Sequence, residues 1–260
     1  MSQQFNHDYF YDFSYAERKS DIDFYVDIAK QYGSKGILEV GCGTGRVLCE
    51  IAKEGINIDG IDPNSNRIKL CQRYMKPILK ENPKLKSDMS VNTIQTYKTS
   101  KKYSLITMPF RVFQHLLTPQ AQEDTVRQIK NYLVPGGVFV FDIFNPNIKM
   151  LANDKFKHEF GAEQYVTDTG IKFIRKDRIA ARDYFNQLQF AEEIFEFELN
   201  GKPYKIVDKY TTRYSFKNEI ELLLKYTGFQ LLATYGDFNK NPFGQTKYPG
   251  DLIFVAQKTR

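Results

Sequence analysis

The stretch Ile37-Leu38-Glu39-Val40-Gly41-Cys42-Gly43-Thr44-Gly45-Arg46 places an apolar run directly before three glycines in five positions. Backbone without a Cβ turns sharply and lets a ligand approach the main chain. The spacing is not that of a dinucleotide fingerprint, because Arg46 stands where the third glycine of GxGxxG belongs, and the GK[ST] of a phosphate loop is absent. Instead there is an acid two residues before the first glycine, Glu39, and a second, Asp62, 21 residues after Gly41. At that spacing a carboxylate at the tip of the second strand meets both hydroxyls of a ribose. Asp62 also precedes Pro63, so capping of the following helix is its other reading. For Glu39 the alternatives are a place beside the ligand and a bond to the backbone amides of the loop.

Those residues need an open α/β sheet to hold them. Strand-like and helix-like periodicities alternate through the first 145 residues, with strands predicted over 36–40, 56–61, 89–91, 105–108 and 138–143. Helices are expected after Gly45, from Ser65, and from Thr118 with Pro119 at its first position, the last ending before Pro135-Gly136-Gly137. From about residue 171 the chain turns to β-branched and aromatic segments, with Asn200-Gly201 as a hairpin turn between two of them, so an antiparallel sheet is expected there. A helix beginning at Ser215 and stopped at Gly228, then two strands over 229–235 and 251–257, return the chain to the core. The expected parts are 1–34 as N-terminal helices, 35–145 as the αβ core, 146–214 as an antiparallel insertion, and 215–260 as the closing helix and strands.

The composition bounds the reading. The chain has 260 residues, long enough to bury a core without disulfides or a structural metal. No apolar run approaches the roughly 20 residues that span a bilayer, and the beginning, MSQQFNHDYFYDFSY, has neither a basic nor an apolar signal region, so a cytoplasmic protein is expected. Cys42, Cys49 and Cys71 are too few and too far apart for a disulfide framework or a metal cluster, and no metal site is expected. The net charge of +6 resides in residues 66–102, where ten Lys and Arg face Glu81 and Asp88 for a local +8, leaving the rest at −2. Lys69, Arg73, Lys76 and Lys80 fall on one helix face opposite Ile68, Cys71, Met75 and Leu79, a pattern that reads first as a solvated face.

The segment Glu39-Val40-Gly41-Cys42-Gly43-Thr44-Gly45 resembles the first motif of class I S-adenosylmethionine-dependent methyltransferases, whose loop cradles the amino-acid part of the cofactor. The resemblance continues through Asp62 and Pro63, through Ser87-Asp88-Met89 at the third strand, where the family places an acid or amide near the adenine, and through Leu133-Val134-Pro135-Gly136-Gly137 before the fifth. It covers the core, 35–145, and implies a Rossmann-like, mostly parallel seven-stranded sheet with its last strand antiparallel. The flanks look like the small-molecule branch containing glycine and amino-sugar N-methyltransferases. In that branch an N-terminal helix brings tyrosines and a basic residue to the cofactor, and the insertion after the fifth strand shapes the acceptor pocket.

Carried onto this chain, the resemblance implies that Tyr11, Tyr15, Arg18, Glu39, Gly41, Cys42, Gly43, Gly45, Asp62, Pro63, Asp88, Met89 and Met108 attend S-adenosylmethionine and its product S-adenosylhomocysteine. Residues 108–116 follow the fourth strand, where such an enzyme joins acceptor and methyl group. His115 is the one histidine there and the candidate general base, against a plain role at a loop-to-helix junction. Arg111 either pairs within the fold or binds an anionic group of the acceptor. Phe110, Phe113, Phe144 and Phe243 weigh more toward core than toward stacking on substrate, and Asp142 at the end of the fifth strand is a candidate for meeting a polar acceptor. The implied activity is methylation of a small molecule, most readily at nitrogen, by a monomer or homodimer. Methylation of RNA or protein and a non-catalytic sensor are the alternatives. The segment MPFR after the fourth strand is not the NPPY or DPPY of adenine N6 enzymes, and no RNA-binding module is visible, which argues against nucleic acid.

Overall fold

A computed structural model describes residues 6–153 and 157–259. The described residues divide into two compact units, one of residues 20–145 and 215–259 and the other of residues 6–19, 146–153 and 157–214.

The larger unit is built on strands β1 (Ile37–Val40), β2 (Ile58–Asp62), β3 (Met89–Val91), β4 (Tyr103–Met108), β5 (Leu133–Phe144), β10 (Phe229–Tyr235) and β11 (Asp251–Lys258). β1 and β2 are buried at every position, as strands covered on both faces must be. Their order in the sheet is β10-β11-β5-β4-β1-β2-β3, all parallel except β11, which runs antiparallel to both neighbours. The chain moves outward in opposite directions from β1 and β4, so the crevice beyond the ends of these two strands is the expected ligand position of an open sheet. Helices α2 (Ser20–Tyr32), α3 (Leu48–Lys53) and α4 (Ser65–Glu81) bury Phe24, Ile28, Leu48, Ile51, Ile68, Cys71 and Met75 in one core cluster. The second cluster takes Val126 and Ile129 of α5 (Pro119–Tyr132) and Ile220 and Leu224 of α7 (Lys217–Tyr226). Asn64 caps α4 by accepting the Asn66 and Arg67 N–H groups, and Thr118 caps α5 by accepting that of Ala121.

Lys69, Arg73, Lys76 and Lys80 are exposed on α4, opposite its buried face. α5 ends at Tyr132, before Pro135-Gly136-Gly137 as expected, but β5 begins at Leu133 and takes in that motif, ahead of the strand start expected at Val138. Among the described residues no helix is long and apolar enough to cross a membrane.

The smaller unit holds α1 (His7–Ser14), α6 (Ile148–Leu151) and the antiparallel strands β6 (Phe160–Val166), β7 (Lys172–Asp183), β8 (Leu188–Leu199) and β9 (Lys202–Arg213), in that order. β6 and the short α6 escaped the sequence pattern. The N-terminal segment grouped as 1–34 is divided between the units, α1 lying with the antiparallel sheet and α2 with the parallel one. Phe10 of α1 packs on Phe173, Phe195 and Phe197, and beside it His7 Nε2 donates to Glu193 at 2.7 Å. Burial disfavours the His7 cation, yet hydrogen bonds to Asp8 and Glu193 push its pKa up to about 9. A raised folded pKa favours the protonated folded form. Its stabilisation is complete below the ordinary histidine range and is lost as pH rises through about 9. His7→Gln should therefore cost about 1–3 kcal/mol at pH 6 and little at pH 10; urea unfolding of both proteins across that range checks it, and an equal loss at both ends would refute the linkage.

Candidate active site

The glycine loop is fastened from below by β2. The N–H groups of Gly41 and Cys42 both donate to the Ile61 carbonyl, at 2.8 and 3.0 Å. The glycines then differ in purpose. At Gly45 (φ +93°) a Cβ would stand 2.7 Å from Cys71 Sγ, so this glycine lets α4 approach the loop. At Gly43 (φ +55°) a Cβ would meet nothing within 4 Å, so bare backbone faces an open space. Asp62 Oδ2 accepts the Gly43 N–H at 3.0 Å and Oδ1 accepts the Asn64 N–H at 2.8 Å. Asp62 thus holds loop and strand tip together, while the helix cap is Asn64, one residue beyond the exposed Pro63.

Glu39 lies at the end of β1, 2% exposed. The backbone N–H of Leu48 favours its anion, but Oε2 has no hydrogen-bond partner. Burial, then the neighbouring Cys49, push this carboxyl well above the usual range, and Arg46 opposes them. Arg46 is committed elsewhere: its Nη1 donates to Asp21 Oδ1 at 3.3 Å, its Nη2 binds Asp21 Oδ2, and its guanidinium lies 4.7 Å from the centre of the Phe110 ring.

Beyond β4, Phe110 and Arg111 occupy consecutive left-handed conformations (φ +59° and +64°), unfavourable for side chains of this size. Asp142 holds them there. Its Oδ1 accepts the Phe110 N–H at 2.8 Å and the Tyr25 hydroxyl at 2.6 Å, and its Oδ2 accepts the Arg111 N–H at 3.2 Å. Wholly buried, with its carboxyl raised by that burial against the pull of Arg111 and Tyr25, it is a clamp on the loop and not a contact for an acceptor.

Other expectations also shift. Arg111 pairs within the fold, donating to Asp251 at 2.8 Å and stacking 3.7 Å from the centre of the Phe144 ring. Phe113 is fully buried against Phe141, and Met108 is 1% exposed in the same core, so these two side chains are packing residues. Phe243 packs against that core as well. Phe144 is 55% exposed, Phe110 is half-buried, and His115 is exposed at the end of the 3-10 turn Val112–His115.

Asp88 stands one residue before β3, its N–H donating to Asp59, three positions from Val91, which pairs with Asp62. Met89 is buried in the core. The residue beside Asp62 is Asn92, whose N–H donates to the Asp62 carbonyl at 3.1 Å. Tyr11, Tyr15 and Arg18 belong to the smaller unit, where the two tyrosine rings lie 4.8 Å apart and Arg175 stacks over Tyr15. Asp21 and Tyr25, on α2, escaped the sequence reading.

The methyltransferase-domain family matches residues 14–195. A putative methyltransferase of Bacillus subtilis, YqeM, is 26% identical over 229 residues, 86% of this chain and 84% of its own length. The glycine/sarcosine N-methyltransferase of Aphanothece halophytica is 20% identical over 94% of this chain and 84% of its own. The sugar N-methyltransferase KedS8 of Streptoalloteichus shares the fold, with a TM-score of 0.73 and 13% identity over 96% of this chain and 93% of that one. The chain belongs to the methyltransferase-domain family and is a class I S-adenosylmethionine-dependent methyltransferase. The residues present fit that cofactor: Gly43 offers open backbone, Asp62 ends the second strand, and Glu39 Oε2 is a buried acceptor atom without a donor.

Asp142→Ala leaves two backbone donors and the Tyr25 hydroxyl unsatisfied and should cost about 3–5 kcal/mol of stability. Tyr25→Phe removes one of these bonds and should cost about 1–2 kcal/mol. Urea unfolding measures both, and equal losses would show that the backbone clamp contributes nothing.

Proposed function

We propose that this enzyme methylates a nitrogen of a small-molecule acceptor. The observation that carries the reading is the pairing of an open glycine loop with a strained, clamped loop at 110–111 across the β1–β4 crevice, in a chain resembling glycine and sugar N-methyltransferases over nearly its whole length. S-adenosylmethionine supplies a methyl group already activated on a sulfonium. The chain's own residues bind and align. Gly43 and its neighbours hold the methionyl end, Asp62 holds the ribose, and Asn92 takes over the adenine side from Asp88. The 109–115 loop presents the acceptor in line, and holding two reactants in that geometry supplies much of the rate. An amine acts only through its free lone pair, and the exposed His115 is the base assigned to its proton.

The test is transfer of labelled methyl to panels of amino acids, amines and amino sugars, with RNA and bulk protein as the competing acceptors. Label on nitrogen of a small amine supports the reading, and label confined to RNA or protein overturns it. Asp62→Ala should weaken S-adenosylhomocysteine binding by about 2–3 kcal/mol and lower stability by about 1 kcal/mol, since the Gly43 bond goes with it; unchanged affinity by calorimetry would remove Asp62 from the ribose. His115→Ala should lower turnover with cofactor affinity intact, and full activity from pH 6 to 9 would exclude it as the base.

A further inference from the structure

Two buried polar atoms lack partners on the same face of the sheet at the edge of the crevice, Glu39 Oε2 and Thr107 Oγ1. Glu39 and Thr107 are register partners across the parallel pair β1 and β4, so their side chains are neighbours. The groups around Glu39 offer its anion little. Arg46 favours the anion, but that guanidinium is bound to Asp21. Asp62 from β2 adds like charge, and Cys49 from α3 disfavours the anion further. From α2, the Tyr25 hydroxyl is given to Asp142, and the buried Cys42 and Cys71, whose thiols are pushed up by burial and by Glu39 itself, stay protonated and bring no charge. A carboxylate with a bare oxygen in such surroundings is costly, and the neutral acid is the cheaper state.

We infer that Glu39 rests as the neutral acid and gives up its proton when the ammonium group of the cofactor's methionyl arm arrives, so that cofactor binding releases a proton to solvent. The inference rests on the cofactor reading above and extends it. The balance is simple: the Glu39 O–H bond breaks, the proton goes to the buffer, the ammonium keeps all its protons, and the new carboxylate accepts from it. The ionised site then holds a matched charge pair where the empty protein holds none.

Calorimetry with S-adenosylhomocysteine in phosphate and in Tris, whose ionisation enthalpies differ widely, reads the released protons directly. Close to one proton per cofactor is expected at pH 7, and affinity should fall by up to tenfold for each unit of pH lowered below that. Two comparisons place the proton. 5′-Methylthioadenosine, which lacks the amino-acid arm, should bind wild type without release, and Glu39→Gln should bind S-adenosylhomocysteine without release. Binding of S-adenosylhomocysteine with no proton released overturns the inference and leaves the enzyme reading standing. Equal release with methylthioadenosine, or undiminished release in Glu39→Gln, also overturns it by placing the proton elsewhere. Failure of both S-adenosylmethionine and S-adenosylhomocysteine to bind wild type is a distinct result that overturns the cofactor reading itself.

Discussion

The crevice depends on a carboxylate that no solvent reaches. Asp142, at the end of β5, gathers the backbone of Phe110 and Arg111 and the hydroxyl of Tyr25, so one side chain ties together the β4 loop, the fifth strand and α2. Two consecutive left-handed residues with large side chains are strained, and such a conformation persists where its surroundings over-determine it. Here the surroundings are two hydrogen bonds, of 2.8 and 3.2 Å, to a buried acid. In a low dielectric those bonds are strong, and the loop's shape becomes a fixed property of the fold.

A second clasp works on the cofactor side. Asp21 and Arg46 join α2 to the start of the helix after the glycine loop, and Arg46 then lies on Phe110. A third, Asp62 to Gly43, ties the second strand to the same loop. Helix α2 therefore touches both sides of the crevice, through Tyr25 on one and Asp21 on the other. The polar groups of these clasps are largely satisfied by one another; among the described residues around the crevice the exceptions are Arg111 Nε, Glu39 Oε2 and Thr107 Oγ1.

What could be read from the sequence was what local pattern determines. The continuous apolar runs of β1 and β2, the glycine loop, the acid 21 residues beyond it, and the Thr118-Pro119 helix start all depend on near neighbours in the chain. The tasks of the acids depended on distant ones. Asp142 looked like a group aimed at an acceptor because its burial and its three donors, from residues 25, 110 and 111, exist only after folding. Asp88 falls just before β3 and not at its tip, since composition cannot show where β3 enters register with β2. Strand β6 left no alternating signal because most of its side chains are exposed. Asp21 on α2 drew no role from the sequence, because the Arg46 against which it is wholly buried lies 25 residues away in the chain.

The glycine loop also carries a natural probe of its own motion. All three cysteines lie behind it, reduced and at most 8% exposed, with the Cys71 and Cys49 sulfurs both against Gly45. Gly45 is what admits Cys71 so closely. A thiol reagent can reach these sulfurs only when loop and α4 separate, so the rate of labelling counts openings of the cofactor cradle. In a chain without tryptophan, which denies it the usual intrinsic fluorescence, this trio is a built-in clock for the breathing of the site, and ligands that hold the loop shut would slow it.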